Sequence, residues 1–520
     1  MELNFRVHFM KTLKQISNGL EILFAGGDMD TPVSGVCNDS RLAGPGSLFV
    51  CVPGTRVDGH AFIGDAVARG ATAIIAENDA SDHGPAAFIR VKDSRRALAI
   101  VSANFYDHPA SKLNLIGITG TNGKTTTSLL LESIIRSAGF NPGVLGTLAY
   151  RWAGKEIPAS MTTPESLHLQ KIFHEMLGDG VTHVVMEVSS HALALGRIDG
   201  CSFRAGIFTN LSQDHLDFHA SMEEYFSAKK LLFCNYLDPS ASVAVINADD
   251  AYGRKILDNG ACGLKALSYS AEIPARSGNR PESPACNVRR VEFTSHGLSA
   301  LIETPRGTLK IESPLVGRLN LYNVLAAASG AVALGLPEGA ICAGIRAVTH
   351  VDGRLQRVAL PARCGFQVIV DYAHTPDAMD KALTCLREMT SNRLIAVFGC
   401  GGDRDRGKRP VMGRIAAERA DLVIVTSDNP RTEVPEDIID QIETGMEETG
   451  ICRISGSQIP DEKCYIREVD RRRAIRLALS LARPGDVIFL GGKGHETYQI
   501  IGTTKYPFDD RLVVDEYFRK

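Results

Sequence analysis

The sequence has almost no excess charge of either sign. It carries 57 lysine and arginine residues against 60 aspartate and glutamate residues, a formal net charge of −3. General affinity for nucleic acid is usually accompanied by a basic bias or a run of basic residues. We therefore expect this chain not to bind nucleic acid.

Long apolar segments are also missing. No run approaches the roughly 20 apolar residues that a bilayer-spanning helix needs. The first 23 residues contain scattered charges and no compact apolar region followed by a cleavage site of small residues. We therefore expect no membrane insertion, no secretory signal and a cytoplasmic location.

Cysteine pairs of the C-x-x-C type are absent as well. The 12 cysteines are spread singly along the chain. In a long chain without a secretory signal, such cysteines are typically buried and reduced, and a structural zinc site is not expected. With 520 residues and no internal repeat, the chain is too long for one hydrophobic core, and we expect several domains.

What the sequence does contain is a phosphate-binding loop. Residues 117–126 read Gly-Ile-Thr-Gly-Thr-Asn-Gly-Lys-Thr-Thr, after the apolar run 113–118 and before a helix-like run 126–138. A strand, a glycine-rich loop and a helix in this order suit an anion, because glycine lets backbone N–H groups curve round it and the helix N-terminus attracts it. Lys124 can reach terminal phosphates, and Thr125 can offer a hydroxyl to Mg²⁺. An ordinary strand-to-helix turn is the alternative, but the context predicts binding of ATP or GTP.

Three further segments carry polar residues of interest. Residues 186–191, Met-Glu-Val-Ser-Ser-His, end a predicted strand, and Glu187 is suited to Mg²⁺ or, alternatively, to capping a helix. Residues 209–219 contain two histidines and two aspartates after another strand, so metal binding and a structural role are both open. Lys229 and Lys230, taken alone, look like the exposed face of a helix.

Short apolar strands alternate with helical stretches along the chain, which is typical of parallel sheets. The sequence thus predicts an α/β protein of three domains, with boundaries near 1–111, 112–349 and 350–520. The predicted strands span residues 47–52, 73–76, 181–186, 204–209, 367–371, 394–398, 422–425 and 487–490.

Four motifs occur in a fixed order along the chain: the phosphate loop, M-E-V-S-S-H, T-N-L-S-x-D-H-L-D-x-H and A-K-x-L-L-F. The set resembles the Mur ligase family, the ATP-dependent amide-forming ligases of peptidoglycan assembly. Residues 317–323, 352–356 and 370–377 are similar to its adenine-side loop, interdomain segment and C-terminal nucleotide contact. The resemblance implies a central P-loop ATPase-like domain with a parallel sheet, a UDP-substrate-binding N-terminal domain and a Rossmann-like, amino-acid-binding C-terminal domain. It implies ATP contacts at Gly120, Thr121, Asn122, Gly123, Lys124, Thr125, Thr126, Asn320, Asn323, Arg354, Asp371 and His374.

The same resemblance assigns the catalytic set to Lys124, Glu187, His215 and Lys229. Lys229 would carry a carbamate (N6-carboxylysine) and hold one Mg²⁺ with His215 and Glu187, while Thr125 and Glu187 hold another. Two divalent ions would reduce the repulsion between a triphosphate and a substrate carboxylate. A free ammonium beside them would be unfavourable, which agrees with a carbamate.

Two segments resemble the family's uridine-diphosphate contacts, residues 37–41 and 53–59. One residue departs from the family's pattern. Leu195 stands where some relatives carry a polar residue that contacts the substrate, so Leu195 is not part of the predicted site. The resemblance implies a site for a UDP-muramyl-dipeptide made of Asn38, Ser40, Thr55, Arg56, Val57, Thr162, Thr163, Ser189 and Arg197.

The segment Asp428-Asn-Pro-Arg431 resembles the signature of family members that add diaminopimelate, whereas lysine-adding relatives differ at the arginine. Arg431 and Arg404 suit the distal carboxylate of diaminopimelate, and Asp428 and Glu496 suit its ammonium. A plain turn is the alternative for 428–430, and residues 399–410 lack the G-x-G-x-x-G of a dinucleotide loop. The implied diaminopimelate site consists of Arg404, Asp428, Asn429, Pro430, Arg431, Gly492 and Glu496.

Together these features imply a monomeric ligase that uses ATP and two Mg²⁺ ions. It would join diaminopimelate to the D-glutamate γ-carboxylate of UDP-N-acetylmuramoyl-L-alanyl-D-glutamate through an acyl phosphate. A lysine-adding ligase of the same family is the nearest alternative, and a folylpolyglutamate-type ligase leaves the N-terminal domain unexplained. A P-loop ATPase or switch is more remote, because the N-K-x-D motif of GTPases is absent from the sequence.

Overall fold

Three large β-sheets organise the chain. The computed structural model describes residues 10–54, 57–79, 83–272, 284–294, 296–454 and 462–519. The mixed α/β architecture predicted from the alternation of strands and helices is confirmed.

The N-terminal sheet is parallel except at one edge. Its elements are β1 (Lys11–Thr12), α1 (Leu13–Ile16), β2 (Ile22–Gly26), β3 (Pro32–Val33), β4 (Gly35–Cys37), β5 (Ser47–Val50), α2 (Ile63–Ala68), β6 (Ala71–Ala76), β7 (Ala87–Val91) and α3 (Ser94–Phe105), with 3₁₀ turns at Ser40–Leu42 and Gly59–Phe62. The strand order is β2-β7-β6-β5-β4, with β2 antiparallel to β7, and β1 pairs with β3 separately. Leu48 and Phe49 point to opposite faces and both are buried, so this sheet is covered on both sides.

The central sheet carries the phosphate-binding loop between its first strand and first helix. Its strands are β8 (Asn114–Thr119), β9 (Pro142–Leu145), β10 (Ala149–Trp152), β11 (Lys155–Pro158), β12 (His183–Glu187), β13 (Ala205–Phe208), β14 (Val243–Asn247), β15 (Lys265–Ser270), β16 (Cys286–Thr294), β17 (Gly297–Thr304) and β18 (Gly307–Ser313). Its helices are α4 (Lys124–Ser137), α5 (Ser166–Gly178), α6 (Ser190–Ala194), α7 (Met222–Asn235), α8 (Ala251–Asp258), α9 (Arg318–Ala333) and α10 (Glu338–Ala347), with 3₁₀ turns at Pro109–Lys112 and Gly260–Gly263.

The order of this sheet is β11-β10-β9-β12-β8-β13-β14-β15-β16-β17-β18. Strands β9, β12, β8, β13, β14 and β15 run parallel, so the loops that follow them leave at one edge. Strand β16 pairs parallel with β15, and β17 and β18 then extend the sheet with antiparallel pairing. None of these three strands was predicted from the sequence.

The C-terminal sheet repeats the doubly wound plan. Its strands are β19 (Gln356–Arg357), β20 (Gln367–Asp371), β21 (Leu394–Phe398), β22 (Leu422–Val425), β23 (Cys452–Arg453), β24 (Cys464–Arg467) and β25 (Val487–Gly491), followed by the hairpin β26 (Tyr498–Ile501) and β27 (Thr504–Pro507). Its helices are α11 (Pro376–Met389), α12 (Lys408–Arg419), α13 (Pro435–Glu447), α14 (Arg471–Leu481) and α15 (Asp510–Arg519), with a 3₁₀ turn at Ala362–Cys364. The order is β19-β20-β25-β21-β22-β24-β23, parallel except for β19.

Each large sheet lies inside one of the spans 1–111, 112–349 and 350–520. These boundaries therefore remain our proposal for the domains. Over the described ranges, no helix combines the length and the apolar character needed to cross a bilayer.

The expectation that every cysteine is a reduced, buried thiol is wrong in part. Cys234 and Cys262 form a disulfide, because the end of α7 meets the turn at Gly260–Gly263 and brings the two Cα atoms to 5.1 Å. Cys452 is exposed, and Cys342 and Cys364 are partly exposed. The buried free thiols are Cys37, Cys51, Cys201, Cys286, Cys385, Cys400 and Cys464.

The contact between α10 and α4 leaves no room for a side chain at Gly344. A Cβ there would lie 2.4 Å from the Ile134 Cα and 2.6 Å from the Ile134 N. We predict that Gly344→Ala lowers the free energy of unfolding by about 1–3 kcal/mol, because backbone must move to accept the methyl group. Urea unfolding followed by circular dichroism measures the change.

Gly339→Ala is the matched control on the same helix, since nothing lies within 4 Å of its Cβ position. There the substitution should be neutral or stabilising by up to about 1 kcal/mol, because alanine favours the helix more than glycine does. Equal midpoints for the two variants would contradict the close packing of α10 on α4.

Candidate active site

The loop between β8 and α4 has the backbone that an anion site needs. Gly120 and Gly123 have φ angles of 146° and 86°. A Cβ at Gly120 would lie 1.9 Å from the Thr209 Oγ1, and one at Gly123 would lie 2.3 Å from the Asn323 Oδ1. Glycine is therefore required at both positions, and the loop delivers its N–H groups to the N-terminus of α4.

Two lysine side chains converge on one carbonyl oxygen of this loop. The Nζ of Lys124 donates to the Gly120 and Thr121 carbonyl oxygens, each at 2.9 Å. The Nζ of Lys229, on α7, donates to the same Gly120 oxygen at 2.9 Å. Lys229 is 1% exposed, so the two amino groups face one another in a site with little water.

Burial, and then the nearby charge of Lys124, hold the pKa of Lys229 well below its usual value, and Asp214 opposes them. The ammonium also lies 4.5 Å from the centre of the Tyr225 ring. Removal from water likewise lowers the pKa of Lys124. The lowered pKa increases the fraction of Lys229 that is a neutral, nucleophilic amine. Its burial differs from the exposed helix face suggested by residue type alone.

Glu187 is buried at the carboxyl end of β12, with 1% exposure. Thr147 orients its carboxylate: the Thr147 N–H donates to Oε1 and the Thr147 hydroxyl donates to Oε2, both at 3.0 Å. A Cβ at Gly146 would lie 2.3 Å from Oε1, so the chain after β9 closes on the carboxylate. Sequence reasoning missed Thr147, which carries no signal beyond its place after a strand.

The donor set next to the loop fits Mg²⁺ in part. Buried Thr125 and Glu187 offer the hydroxyl and carboxylate oxygens that Mg²⁺ prefers, whereas an unmodified Lys229 offers none. Across the part of the chain that the structure describes, no cluster of three or more histidines, cysteines, aspartates or glutamates could hold a metal ion. Oxygens from a nucleotide, a carbamate or water would complete a coordination shell.

The histidine-rich segment 209–219 forms an aromatic cluster. The ring of His215, on a residue with φ of 54°, lies 4.9 Å from that of His191. His219 is 1% exposed, and its ring lies 5.1 Å from that of Tyr225. Burial lowers the pKa of His191 to about 4, so this imidazole is neutral at pH 7. The two histidines and two aspartates of the segment, all within the described residues, do not form a metal cluster of their own.

A cavity of about 540 Å³ opens between the phosphate loop and the C-terminal domain. It is lined by ten of the residues that the resemblance assigns to ATP: Thr121, Asn122, Gly123, Lys124, Thr126, Asn320, Asn323, Arg354, Asp371 and His374. Thr162, Ser189 and His215 line it too, so residues predicted for nucleotide and for substrate share one space. Four further lining residues lie in segments that the sequence analysis singled out: Asn210, Asp214, Tyr322 and Tyr372. Lining residues that sequence reasoning missed include Thr147, Asn247, Asp249, Asp250 and Lys381.

The segment after β20 forms one wall of this cavity and is stabilised by backbone hydrogen bonds to Asp371. Asp371 accepts from the Leu355 N–H at 2.6 Å and from the Ala373 N–H at 2.8 Å. Burial raises the pKa of Asp371, and Arg354 opposes that shift. The Arg354 guanidinium lies 4.7 Å from the centre of the Tyr372 ring, which gives the wall one cation stacked on an aromatic face.

The residues predicted for the muramyl-dipeptide lie beside Glu187. The Thr162 and Thr147 hydroxyls are 3.1 Å apart, and the Thr163 hydroxyl donates to the Glu187 carbonyl at 2.9 Å. The Ser189 N–H donates to the Thr163 hydroxyl at 3.1 Å. Arg197 pairs with Glu165 at 2.8 Å.

The residues predicted for the uridine diphosphate follow two neighbouring strands. Asn38 and Ser40 follow β4, and Val57, which is 57% exposed, follows β5. Because β4 and β5 are parallel, the two loops leave at the same edge of the sheet. Thr55 and Arg56 lie outside the described residues.

The loops after β21, β22 and β25 bring the residues predicted for diaminopimelate to one edge. The Asn429 Nδ2 donates to the Glu496 Oε2 at 2.8 Å, and the Arg431 guanidinium donates to the Gly402 carbonyl at 2.7 Å. A Cβ at Gly402 would lie 1.8 Å from the Pro430 carbonyl oxygen, so two of the loops touch.

Two further residues are predicted for diaminopimelate, Gly492 and Arg404. Gly492, with φ of 108°, lies next to Asp428, since a Cβ would be 3.2 Å from its Oδ2. Arg404 is exposed and donates to the carbonyl of its neighbour Asp403 at 3.3 Å.

The structure adds a buried lysine to this cluster. Lys493 is 0% exposed, and its Nζ lies 3.3 Å from the Asp428 Oδ1, 3.0 Å from the Asn429 Oδ1 and 3.3 Å from the Glu496 Oε2. An internal ammonium thus already contacts the two carboxylates predicted for a substrate ammonium. The sequence signal for this buried lysine is its position between two glycines in Gly491-Gly-Lys-Gly-His-Glu496.

Three family profiles match the chain in order. The profile described as "Mur ligase family, catalytic domain" matches residues 32–106, "Mur ligase middle domain" matches 118–331, and "Mur ligase, glutamate ligase domain" matches 353–494. Each match lies within one of the three proposed domains.

Two relatives that align over nearly the whole chain share one name. A protein of Geobacter metallireducens called UDP-N-acetylmuramoyl-L-alanyl-D-glutamate–2,6-diaminopimelate ligase is 44% identical, over 95% of this chain and 96% of its own length. One of the same name from Gloeobacter violaceus is 47% identical, over 94% and 95%. A solved structure of a ligase with this name is 32% identical, covers 98% of this chain and 99% of its own, and superposes with a TM-score of 0.69.

The buried position of Lys493 generates a stability prediction. Lys493→Met should lower the free energy of unfolding by about 3–5 kcal/mol, because Asp428 and Glu496 lose their buried counter-charge. Lys155→Met is the control: its ion pair with Asp179 is half exposed, so its loss should cost less than about 1 kcal/mol. The urea unfolding midpoints of the two variants are compared with that of the wild type. Equal shifts would show that the charge of Lys493 does not stabilise Asp428 and Glu496.

Proposed function

The chain belongs to the Mur ligase family, as its motifs indicated, and we propose that it adds diaminopimelate to UDP-N-acetylmuramoyl-L-alanyl-D-glutamate. ATP is the co-substrate, and an amide forms at the D-glutamate γ-carboxylate. The product would be a precursor of peptidoglycan. The cytoplasmic location and the monomeric state stay predictions.

The cluster of Asp428, Asn429, Arg431 and Glu496 carries the choice of amino acid. Diaminopimelate has a second amino-acid head, and this cluster offers a guanidinium for its carboxylate and carboxylates for its ammonium. Lysine would leave Arg431 without that partner. The relatives that align over nearly the full chain and carry diaminopimelate in their names support the same choice.

Catalysis depends on positioning and charge. The loop N–H groups and the N-terminus of α4 hold the β- and γ-phosphates, and Lys124 turns from its loop carbonyls to the transferring group. The γ-phosphoryl group passes to the substrate carboxylate, and the diaminopimelate amine attacks the resulting acyl phosphate. The tetrahedral intermediate expels phosphate and leaves the amide, so no protein nucleophile is needed.

Thr125, Glu187, His215 and a carbamylated Lys229 would hold Mg²⁺. The ions would neutralise charge between the triphosphate and the substrate carboxylate. The lowered pKa of buried Lys229 supports carbamylation, because a neutral amine can add to carbon dioxide and release a proton. The resulting anion would attract Lys124, whereas an ammonium at Lys229 would be repelled by it.

The remaining pockets serve the large substrate. The loops after β4 and β5 suit the uridine diphosphate, and the cluster of Thr162, Thr163, Ser189 and Arg197 suits the dipeptide. Because this cluster lies beside Glu187, the γ-carboxylate would arrive next to the phosphate loop.

The carbamate is tested by removing Lys229. Lys229→Ala should lose on the order of 100-fold or more in turnover, because the charge arrangement around the transferring phosphoryl group collapses. Acetate or formate in the buffer should restore part of the rate by supplying carboxylate oxygens. Steady-state ADP release measures both effects.

Lys230→Ala is the matched control and should stay near the wild-type rate, since Lys230 is the neighbouring residue and has no assigned role. If Lys229→Ala keeps full activity at low bicarbonate, the carbamate proposal is wrong.

Specificity is tested at Arg431. The wild type should discriminate against lysine by roughly 10⁴-fold in kcat/KM, because the Arg431 guanidinium would lose its carboxylate partner and keep only backbone carbonyl acceptors. Arg431→Ala should raise the KM for diaminopimelate and leave the KM for ATP within about twofold. It need not gain lysine activity, since Asp428 and Glu496 remain.

An ADP-release panel with each amino acid measures this, and Arg453→Ala, an exposed arginine of the same domain, is the control. Comparable kcat/KM for lysine and diaminopimelate in the wild type would overturn the substrate assignment. ATP turnover without UDP-muramyl-dipeptide or amino acid would instead favour an ATPase or switch.

A further inference from the structure

A carboxylate of the C-terminal domain is bonded directly to the phosphate loop of the central domain. Asp377 lies in the first turn of α11. Its Oδ2 accepts hydrogen bonds from the Asn122 Nδ2 at 3.0 Å and from the Ser212 Oγ at 2.6 Å. These partners are 255 and 165 residues away in sequence, and neither belongs to the C-terminal domain.

The two donors belong to one cross-linked unit. The Asn122 N–H donates to the Asn210 Oδ1 at 3.0 Å, and the Thr209 hydroxyl donates to the Asn122 carbonyl at 2.7 Å. The Ser212 N–H donates to the Thr121 hydroxyl oxygen at 3.1 Å. Because the loops after β8 and β13 hold each other in this way, any force on Asn122 and Ser212 is transmitted to the whole phosphate loop.

Charge at this contact is balanced within α11. Lys381, one turn along the helix, donates to the same Asp377 oxygen at 2.8 Å and lines the cavity. An uncompensated carboxylate beside a triphosphate would be repelled. With Lys381 paired to it, Asp377 can stay at the loop when nucleotide is bound.

We propose that Asp377 is a positioning residue that holds the amino-acid-binding domain closed on the phosphate loop. This rests on the proposed function, in which an amine bound by the C-terminal domain must reach an acyl phosphate formed at that loop. The contact joins the two reacting sides through one carboxylate and two donors. Misplacement of reacting groups by about 1 Å can cost 100-fold in rate, so a residue that touches no substrate can still control turnover.

The test compares Asp377→Ala and Asp377→Asn with a control on the same helix. Asp380→Ala removes an aspartate that pairs with Arg419 at 2.8 Å, away from the loop. We expect Asp377→Ala to lower kcat by about 10- to 100-fold, while the KM for UDP-muramyl-dipeptide stays within twofold. Asp377→Asn keeps one acceptor oxygen and should lose less, and Asp380→Ala should match the wild type.

A second readout is independent of activity. Small-angle scattering, with ADP and UDP-muramyl-dipeptide present, should report a larger radius of gyration for Asp377→Ala than for Asp380→Ala, at equal thermal midpoints. If the two variants agree in kcat and in radius of gyration, the proposal is overturned. If the wild type releases no ADP with diaminopimelate, the proposed function fails, and the scattering comparison still decides whether Asp377 holds the domains together.

Discussion

Parallel pairing of β8 with β12 and β13 fixes where the reactive groups of the central domain lie. Glu187 pairs with Ile118, and Phe208 pairs with Thr119, so the three strands end at one level. The glycine loop, the Glu187 carboxylate and the loop at 209–212 must therefore meet at one edge. The C-terminal sheet obeys the same constraint: its loop after β20 lines the cavity, and its loops after β21, β22 and β25 carry the cluster of Asp428, Arg431 and Glu496. The site between them depends on this shared direction of the strands.

Burial of like charges gives the site its chemistry. Lys124 and Lys229 both donate to the Gly120 carbonyl, and neither can be fully charged there at low cost. The negative charge of a triphosphate would compensate the charge of Lys124, and a carbamate would remove the positive charge of Lys229. Under the proposed function, substrates and the carbamate would complete this arrangement, and such a site can favour a reacting state over its resting state.

The cluster of Asp428, Asn429 and Glu496 differs from this site, because its charges are already paired within the protein. Lys493 satisfies Asp428, Asn429 and Glu496 from within, so the acceptors are ordered before any ligand arrives. Buried polar networks of this kind are costly when one member is missing, and they hold the remaining groups in one geometry when complete. A substrate ammonium would then join an ordered set of oxygens rather than assemble one.

The sequence by itself determined the α/β class, the phosphate loop and the family, because glycine positions, helix starts and apolar strands are local features. It also brought the residues of the Asp428 to Glu496 cluster into one prediction, through motifs that the family shares. Only the tertiary structure decided that Thr147 orients Glu187, that Lys493 contacts Asp428, that Asp377 reaches Asn122 and that Cys234 meets Cys262. These partners lie 40, 65, 255 and 28 residues apart. No local pattern records such pairs, since they arise only when packed sheets and helices bring distant loops to the same edge.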